Sequence, residues 1–109
     1  GRERGVTQVP WFGTLHVRPK PGVVGVVPAD MVGGYVNVLA LAANDREFRD
    51  RAIGRLDLEG FDVLEVEEVS RVADLNTLLD EPSRDALDRL SEASPVECGA
   101  FFGYSNEDA

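Results

Sequence analysis

Residues 35–69, YVNVLALAANDREFRDRAIGRLDLEGFDVLEVEEV, constrain the fold of this chain more than any other stretch. Residues 35–43 are apolar at both alternating sets of positions, which is typical of a central strand covered on both faces. Residues 62–69 alternate apolar and acidic side chains until Glu68-Val69 inverts the pattern, which predicts a strand that ends or bulges there. A strand, a helix and a strand at this spacing favour two parallel strands joined by a right-handed crossover.

The helix between these strands has clear end signals. Asn44 is a favourable N-cap, and Glu47 three residues later can return a hydrogen bond to the cap. Gly60 supplies the C-terminal stop, and Gly54 inside the helix indicates either close packing or a weak point. The predicted apolar face of the helix consists of Phe48, Ala52, Ile53 and Leu56, and Leu64 and Val66 are predicted to share one face of the returning strand.

Strand patterns also occupy the first third of the chain and its end. Val9–Arg18 alternates with a period of two, and a Pro-Gly turn after it leads to a second short apolar strand, Val23–Val27. The last strand, Val96–Tyr104, is predicted to place Val96, Cys98, Ala100, Phe102 and Tyr104 on one face.

A second helix is predicted between residues 82 and 94. Pro82 suits its first turn, and Ala86, Leu87 and Leu90 form a narrow apolar stripe. The connection before it, residues 70–81, contains a further turn of helix around Leu75, Leu78 and Leu79.

The predicted order is therefore β-β-β-α-β-α-β, an α+β fold. We expect a single mixed β-sheet of four to five strands with two helices packed on one face, ferredoxin-like or related. Length predicts one domain over residues 1–109, with residues 1–5 and 105–109 disordered.

Composition excludes several classes of protein. The single Cys98 cannot form an internal disulfide, and with one histidine in the chain no zinc site is expected. No apolar run is long enough to span a membrane, and the first residues show no signal-peptide pattern, so a cytoplasmic protein with no membrane contact is predicted. No phosphate-cradling glycine motif occurs, and no cofactor is predicted.

The formal net charge is −9, and it is unevenly distributed. Residues 1–55 carry a net charge of +3, whereas residues 56–109 carry −12. Nucleic acid is therefore not an expected ligand, because binding its phosphates needs a basic surface. An acidic surface favours a basic protein partner, although it can also serve solubility alone. The candidate partner-binding residues are Glu65, Glu67, Glu68, Asp85 and Asp88.

Two further interpretations of these acidic residues stay open. Alternate carboxylates on a strand usually face solvent and protect an edge from aggregation. A divalent-cation site ranks third, since the spacing of a calcium-binding loop is absent.

Catalytic candidates are few. His16 is the only histidine, and no nucleophile motif accompanies it. Cys98 lies on an apolar strand next to Glu97, so a buried hydrophobic role is favoured over reactivity. The alternative to a binding module is a small enzyme or small-molecule-binding domain with a pocket around Trp11, His16 and Tyr104.

The stretch NVLALAANDREFRDRAIGRLDLEGFDVLEVEEVSRV resembles the βαβ segment of small, uncharacterised bacterial α+β proteins of ferredoxin-like build. In these, an apolar strand precedes a helix of DxEFRxR type and then G(F/L)xVLEVEEV. Several acidic proteins of this size and build are immunity proteins or protein-binding accessory factors. The resemblance covers a third of the chain, implies a protein-binding role and transfers no functional residues.

The leading hypothesis is therefore a non-enzymatic protein-binding module, immunity-like or accessory, that uses its acidic second half against a basic partner. A homodimer in which the open sheet face of one chain covers the other is a further alternative.

Overall fold

The computed structural model describes residues 7–25, 27–28, 30–75 and 79–105. They form one four-stranded antiparallel sheet and two α-helices, so the predicted α+β class and single sheet are confirmed. The predicted disordered ends fall largely outside the described residues, whereas Ser105 is the last residue of a strand. The elements are β1 (Val9–Pro19), β2 (Met31–Ala42), α1 (Asp45–Leu58), β3 (Phe61–Arg71), a 3-10 turn (Val72–Asp74), α2 (Glu81–Arg89) and β4 (Val96–Ser105).

The strand order is β3-β1-β2-β4, and every neighbouring pair is antiparallel. The prediction of a mixed sheet was wrong, because no two neighbouring strands are parallel. The two strands joined through α1, β2 and β3, do run in the same direction as predicted, but β1 lies between them. Both edges of β1 are then hydrogen-bonded, and its side chains Leu15 and Val17 are fully buried. The insertion of β1 thus puts the most apolar part of the first strand at the centre of the sheet.

The predicted strand Val23–Val27 is also wrong. Residues 23–25 and 27 belong to an irregular connection, and Val26 lies outside the described residues. Gly25 has a φ of 89°, in the left-handed region that interrupts a strand. Since β1 pairs directly with β2, the observed order is β-β-α-β-α-β with four strands, and a ferredoxin-like order is not confirmed.

Helix α1 begins and ends where its sequence signals predict. The Asn44 side chain accepts a hydrogen bond from the Glu47 N–H at 2.8 Å, as predicted. The Glu47 carboxylate accepts one at 2.6 Å from the N–H of Ala43, the residue before the cap, and not from the predicted Asn44 N–H. At the other end Gly60 has a φ of 97°, which favours glycine after a helix. The predicted apolar face is confirmed except for one residue, because Ile53 is 39% exposed.

The main hydrophobic core lies between α1 and one face of the sheet. Phe48, Ala52 and Leu56 of α1 are buried against odd-numbered side chains of β1 and even-numbered side chains of β2. The strand residues are Leu15, Val17, Val36, Val38, Ala40 and Ala42, and Val96 of β4 joins them.

Helix α2 packs against the opposite face, so the prediction of both helices on one face was wrong. Its Ala86 contacts Phe12 of β1 and Leu39 of β2, which point away from α1. These apolar side chains are covered by α2 and by described residues that flank it in the chain, among them Val72 and Leu90. Leu75 and Leu79 also pack there, while Leu78 lies outside the described residues.

Strand β4 departs from simple alternation. Its register with β2 shifts between Val36 and Val38, which is the signature of a bulge. Cys98 therefore shares the α1 side with Phe101, whose ring lies 6.1 Å from that of Phe61. Phe102 and Tyr104 face the α2 side, so the prediction that they share a face with Val96 and Cys98 was wrong.

Alanine substitutions at two glycines are expected to change the stability of the fold in opposite directions. A Cβ at Gly54 would meet no atom within 4 Å, whereas a Cβ at Gly13 would lie 2.5 Å from the Phe48 ring and 2.7 Å from the Glu68 carbonyl oxygen. We expect Gly54→Ala to raise the free energy of unfolding by about 0.5–1 kcal/mol, because it removes only backbone freedom. Gly13→Ala should lower it by about 1–3 kcal/mol through overpacking.

Urea denaturation followed by circular dichroism measures both changes. Equal effects of the two substitutions would contradict the close contact of α1 with β1.

Candidate functional site

The face of the sheet opposite α1 is only partly covered. Helix α2 has nine residues and so is about 14 Å long. The strands beneath it have ten to twelve residues and reach about 33–40 Å. The helix and the 3-10 turn shield the end that contains Phe12 and Leu39, and the other end stays accessible.

At this accessible end, four residues form one row across the whole sheet. Glu65 of β3 is opposite His16 of β1, His16 is opposite Tyr35 of β2, and Tyr35 is opposite Phe102 of β4. Tyr35 is 37% exposed and Phe102 is 57% exposed. We call Glu65, His16, Tyr35 and Phe102 the transverse row.

Tyr104 joins the transverse row from the neighbouring position on β4. It is opposite Gly33, and a Cβ at Gly33 would lie 2.5 Å from the Tyr104 hydroxyl. The missing side chain lets Tyr104 reach over β2 to His16, where its hydroxyl and the His16 Nε2 are hydrogen-bonded at 2.7 Å. The His16 and Tyr35 rings stack at 4.6 Å with an angle of 15° between their planes.

Two bulges in β3 control where its acidic side chains lie. The register with β1 shifts between Thr14 and Leu15 and again between His16 and Val17. These shifts confirm the irregularity predicted at Glu68. They also place Val63, Val66 and Val69 in the core at intervals of three, while Leu64 is 46% exposed and does not share a face with Val66 as predicted.

The bulges bring three predicted residues together. Glu65 and Glu68 lie on the α2 side of the sheet, and Glu67 contacts Glu65. A hydrogen bond with the Glu65 carboxyl raises the pKa of Glu67 above its usual value, helped by mutual repulsion and opposed by nearby His16. All three are exposed.

Asp85 and Asp88 lie on a different element but on the same side of the sheet. They occupy the exposed outer face of α2, opposite the buried Ser83 and Ala86. The structure therefore divides the five predicted residues into a cluster on β3 and a pair on α2.

None of these five carboxylates forms an ion pair within the part of the chain that the structure describes. Seven other carboxylates do. The pairs are Asp45 with Arg49, Glu47 with Arg51, Glu59 with Arg55, Asp57 with Lys20, Asp62 with both Lys20 and Arg18, Asp74 with Arg71, and Glu97 with Arg89. Five more described carboxylates also form no ion pair: Asp30, Asp50, Asp80, Glu81 and Glu92. The unpaired acidic residues are therefore most numerous on β3 and α2 without being confined to them.

A partly buried chain of polar side chains lies between the covered and accessible halves of this face. The Thr14 hydroxyl donates to the Asn37 side-chain oxygen at 2.8 Å, and the Asn37 amide donates to Asp80 at 3.0 Å. Asp80 caps α2 by accepting from the Ser83 N–H at 2.8 Å and from the Ser83 hydroxyl at 3.0 Å. Burial favours the neutral carboxyl, but these hydrogen bonds outweigh it and lower the pKa of Asp80.

Asp80→Asn tests the anchoring of α2. The side-chain amide of this variant has one oxygen acceptor where the carboxylate has two, so one of its N–H groups would face a donor of Asn37 or Ser83. We therefore expect the free energy of unfolding at pH 7 to fall by about 1–2 kcal/mol. Because the folded-state pKa of Asp80 is lowered, its contribution is complete above the usual value of 3.8 and is lost as the pH falls through the lower folded value.

The stability difference between the wild type and Asp80→Asn should therefore shrink in urea titrations below about pH 4. Asp85→Asn on the exposed face of the same helix is the matched control and should change stability little. A difference that stays constant down to about pH 2 would contradict the role of the Asp80 carboxylate.

The pocket predicted around Trp11, His16 and Tyr104 does not form as one unit. His16 and Tyr104 are in contact, but Trp11 lies on the α1 side and donates its indole N–H to the Ala42 carbonyl at 3.0 Å. Cys98 is half-buried in the core, and burial raises the pKa of its thiol. These contacts separate Trp11 and Cys98 from the transverse row.

Two site residues, Tyr35 and Phe102, were not predicted from the sequence. Pairing of Val9–Arg18 directly with residues 31–42 places Tyr35 beside His16. The sequence pattern instead predicted Val23–Val27 as the next strand after Val9–Arg18, so this pairing was not expected. The described residues include no group of three or more His, Cys, Asp or Glu side chains arranged to hold a metal ion.

Comparison of the chain with models of known protein families, with curated proteins and with solved structures finds no match. Within the described ranges, neither helix combines the length and the apolar character needed to cross a lipid bilayer.

Proposed function

We propose that this chain is a non-enzymatic protein-binding module that docks a basic segment of another protein on its α2-side surface. The observation that carries the proposal is that Glu65, Glu67, Glu68, Asp85 and Asp88 form no ion pair with any Lys or Arg of the described ranges, on the same side of the sheet as the partly exposed transverse row.

The β3 cluster would act chiefly on the rate and selectivity of association. Exposed carboxylates attract a cationic partner over a distance of about 10 Å at moderate salt. Three glutamates within four residues concentrate that attraction at one edge of the sheet. The aromatic side chains of the transverse row then determine which basic segments can make close contact.

The aromatic side chains supply the close contact. Tyr35 and Phe102 are adjacent across two strands and partly exposed, and rigid aromatic rings are frequent energetic centres of protein interfaces. The stacked His16 and Tyr35 rings, together with Tyr104, also offer faces on which an arginine or lysine side chain can rest. A basic segment thus meets carboxylates at β3 and ring faces over β1, β2 and β4.

An immunity-like or accessory role is the specific form of this proposal that the family resemblance implies. In such a role the chain would cover a basic surface of its partner and act without chemistry of its own. Binding to a stable partner through one preformed surface is consistent with acidic side chains held on β3 and α2.

The proposal predicts selective binding of cationic peptides. We expect a fluorescein-labelled peptide of alternating Arg and Ser to bind, and its Glu-Ser counterpart not to bind, in fluorescence anisotropy titrations at about 50 mM salt. Glu65→Gln with Glu68→Gln should weaken binding roughly tenfold, and Tyr35→Ala with Phe102→Ala should weaken it at least as much.

Asp30→Asn with Asp50→Asn is the matched control, since it removes two charges elsewhere and should have a smaller effect. Raising the salt to about 500 mM should reduce affinity for the wild type. If the Glu65/Glu68 and Asp30/Asp50 double variants lose the same affinity, the peptide is attracted only by the overall acidity of the chain. That result would contradict the assignment of the binding site to this face.

A further inference from the structure

A titratable side chain lies at the centre of the surface that is proposed to bind a basic segment. His16 is the only histidine of the chain, and histidine is the side chain whose charge changes between about pH 5 and 8. It is half-buried in the transverse row, with Glu65 on one neighbouring strand and Tyr35 on the other. A proton on this ring therefore adds a positive charge inside the acidic and aromatic surface.

Carboxylates of β3 face His16 from one side. Glu65 is its direct cross-strand partner, and a charge on His16 also acts on Glu67. Glu68 lies on the same side of the sheet, opposite Thr14. Because these glutamates form no ion pair with a Lys or Arg in the described part of the chain, protonated His16 would neutralise charge that is otherwise left for a partner.

The aromatic neighbours of His16 respond to the same proton. Its ring stacks on Tyr35 at 4.6 Å, and its Nε2 is hydrogen-bonded to the Tyr104 hydroxyl at 2.7 Å. A neutral Nε2 can accept from that hydroxyl, whereas an imidazolium can only donate to it. The imidazolium would also make a cation–π contact with Tyr35 and so occupy a ring that an arginine or lysine of the partner would use.

The other charged groups near His16 are paired or held in place. On β1 itself, Arg18 shares the same face of the sheet and pairs with Asp62 of β3 at 3.8 Å. At the end of α2, the Asp80 carboxylate accepts a hydrogen bond from the Asn37 amide at 3.0 Å. Arginine stays protonated, and the lowered pKa of Asp80 keeps that carboxylate ionised, so neither group responds between about pH 5 and 8.

We propose that His16 is a pH switch for this surface, which binds a basic segment when the ring is neutral and releases it when the ring is protonated. The inference rests on the proposed binding function and assigns its regulation. The internal cation competes with the cations of the partner for Glu65 and for the ring of Tyr35. Glu67 acts in the same direction, because its hydrogen bond with Glu65 raises its pKa and it gains a proton at a higher pH than an ordinary glutamate.

Fluorescence anisotropy titrations between about pH 8 and about pH 5 test this regulation. The Arg-Ser peptide is capped at both ends and carries tetramethylrhodamine, so the ligand itself does not titrate. At constant ionic strength we expect the wild-type affinity to fall about tenfold over this range, because one charge is added beside the carboxylates. His16→Phe keeps a ring and His16→Gln keeps a polar group, and in both the fall should be about threefold or less, from carboxyl protonation alone.

Each protein is compared with itself at the two pH values, and circular dichroism checks that it is folded at both. His16→Lys is the converse variant: its charge is present throughout the range, so it should bind weakly at about pH 8 and lose little more at about pH 5. Wild-type binding that stays constant with pH, or an equal fall in His16→Phe and His16→Gln, would overturn the proposal and leave the binding function intact. The absence of binding at every pH would contradict the binding function and this inference together.

Discussion

The two-sided apolar character of the central strands governs this structure. β1 and β2 bury Leu15 and Val38 on one face and Phe12 and Leu39 on the other, so both faces of the sheet need cover. The 14-residue α1 covers one face of three strands. The nine-residue α2 covers only half of the other. The accessible surface that carries the transverse row is a direct consequence of this difference in helix length.

Ion pairs between the two halves of the chain change the charge distribution that the sequence alone suggests. The steep change from a basic first half to an acidic second half suggested two separately charged regions of surface. In the fold, however, Lys20 from the first half neutralises Asp57 and Asp62 from the second. Hydrogen bonds to these carboxylates raise the pKa of Lys20, which keeps it protonated. Among the described residues, the acidic side chains that stay without an ion-pair partner are thus most numerous on β3 and α2.

Residues that act over one helical turn predicted the helix ends well. They could not predict which strands pair, because strand pairing depends on residues far apart in the chain. Asn44, Gly60 and Pro82 act within one helical turn, so the sequence identifies the ends they make. Strand partners depend on contacts between distant residues, and Val23–Val27 was mistaken for a strand because its apolar character resembles one. Bulges shift every later side chain to the other face, which is why Phe102 and Tyr104 were assigned to the wrong side. Tyr35 was missed because its place beside His16 depends on the pairing of β1 with β2.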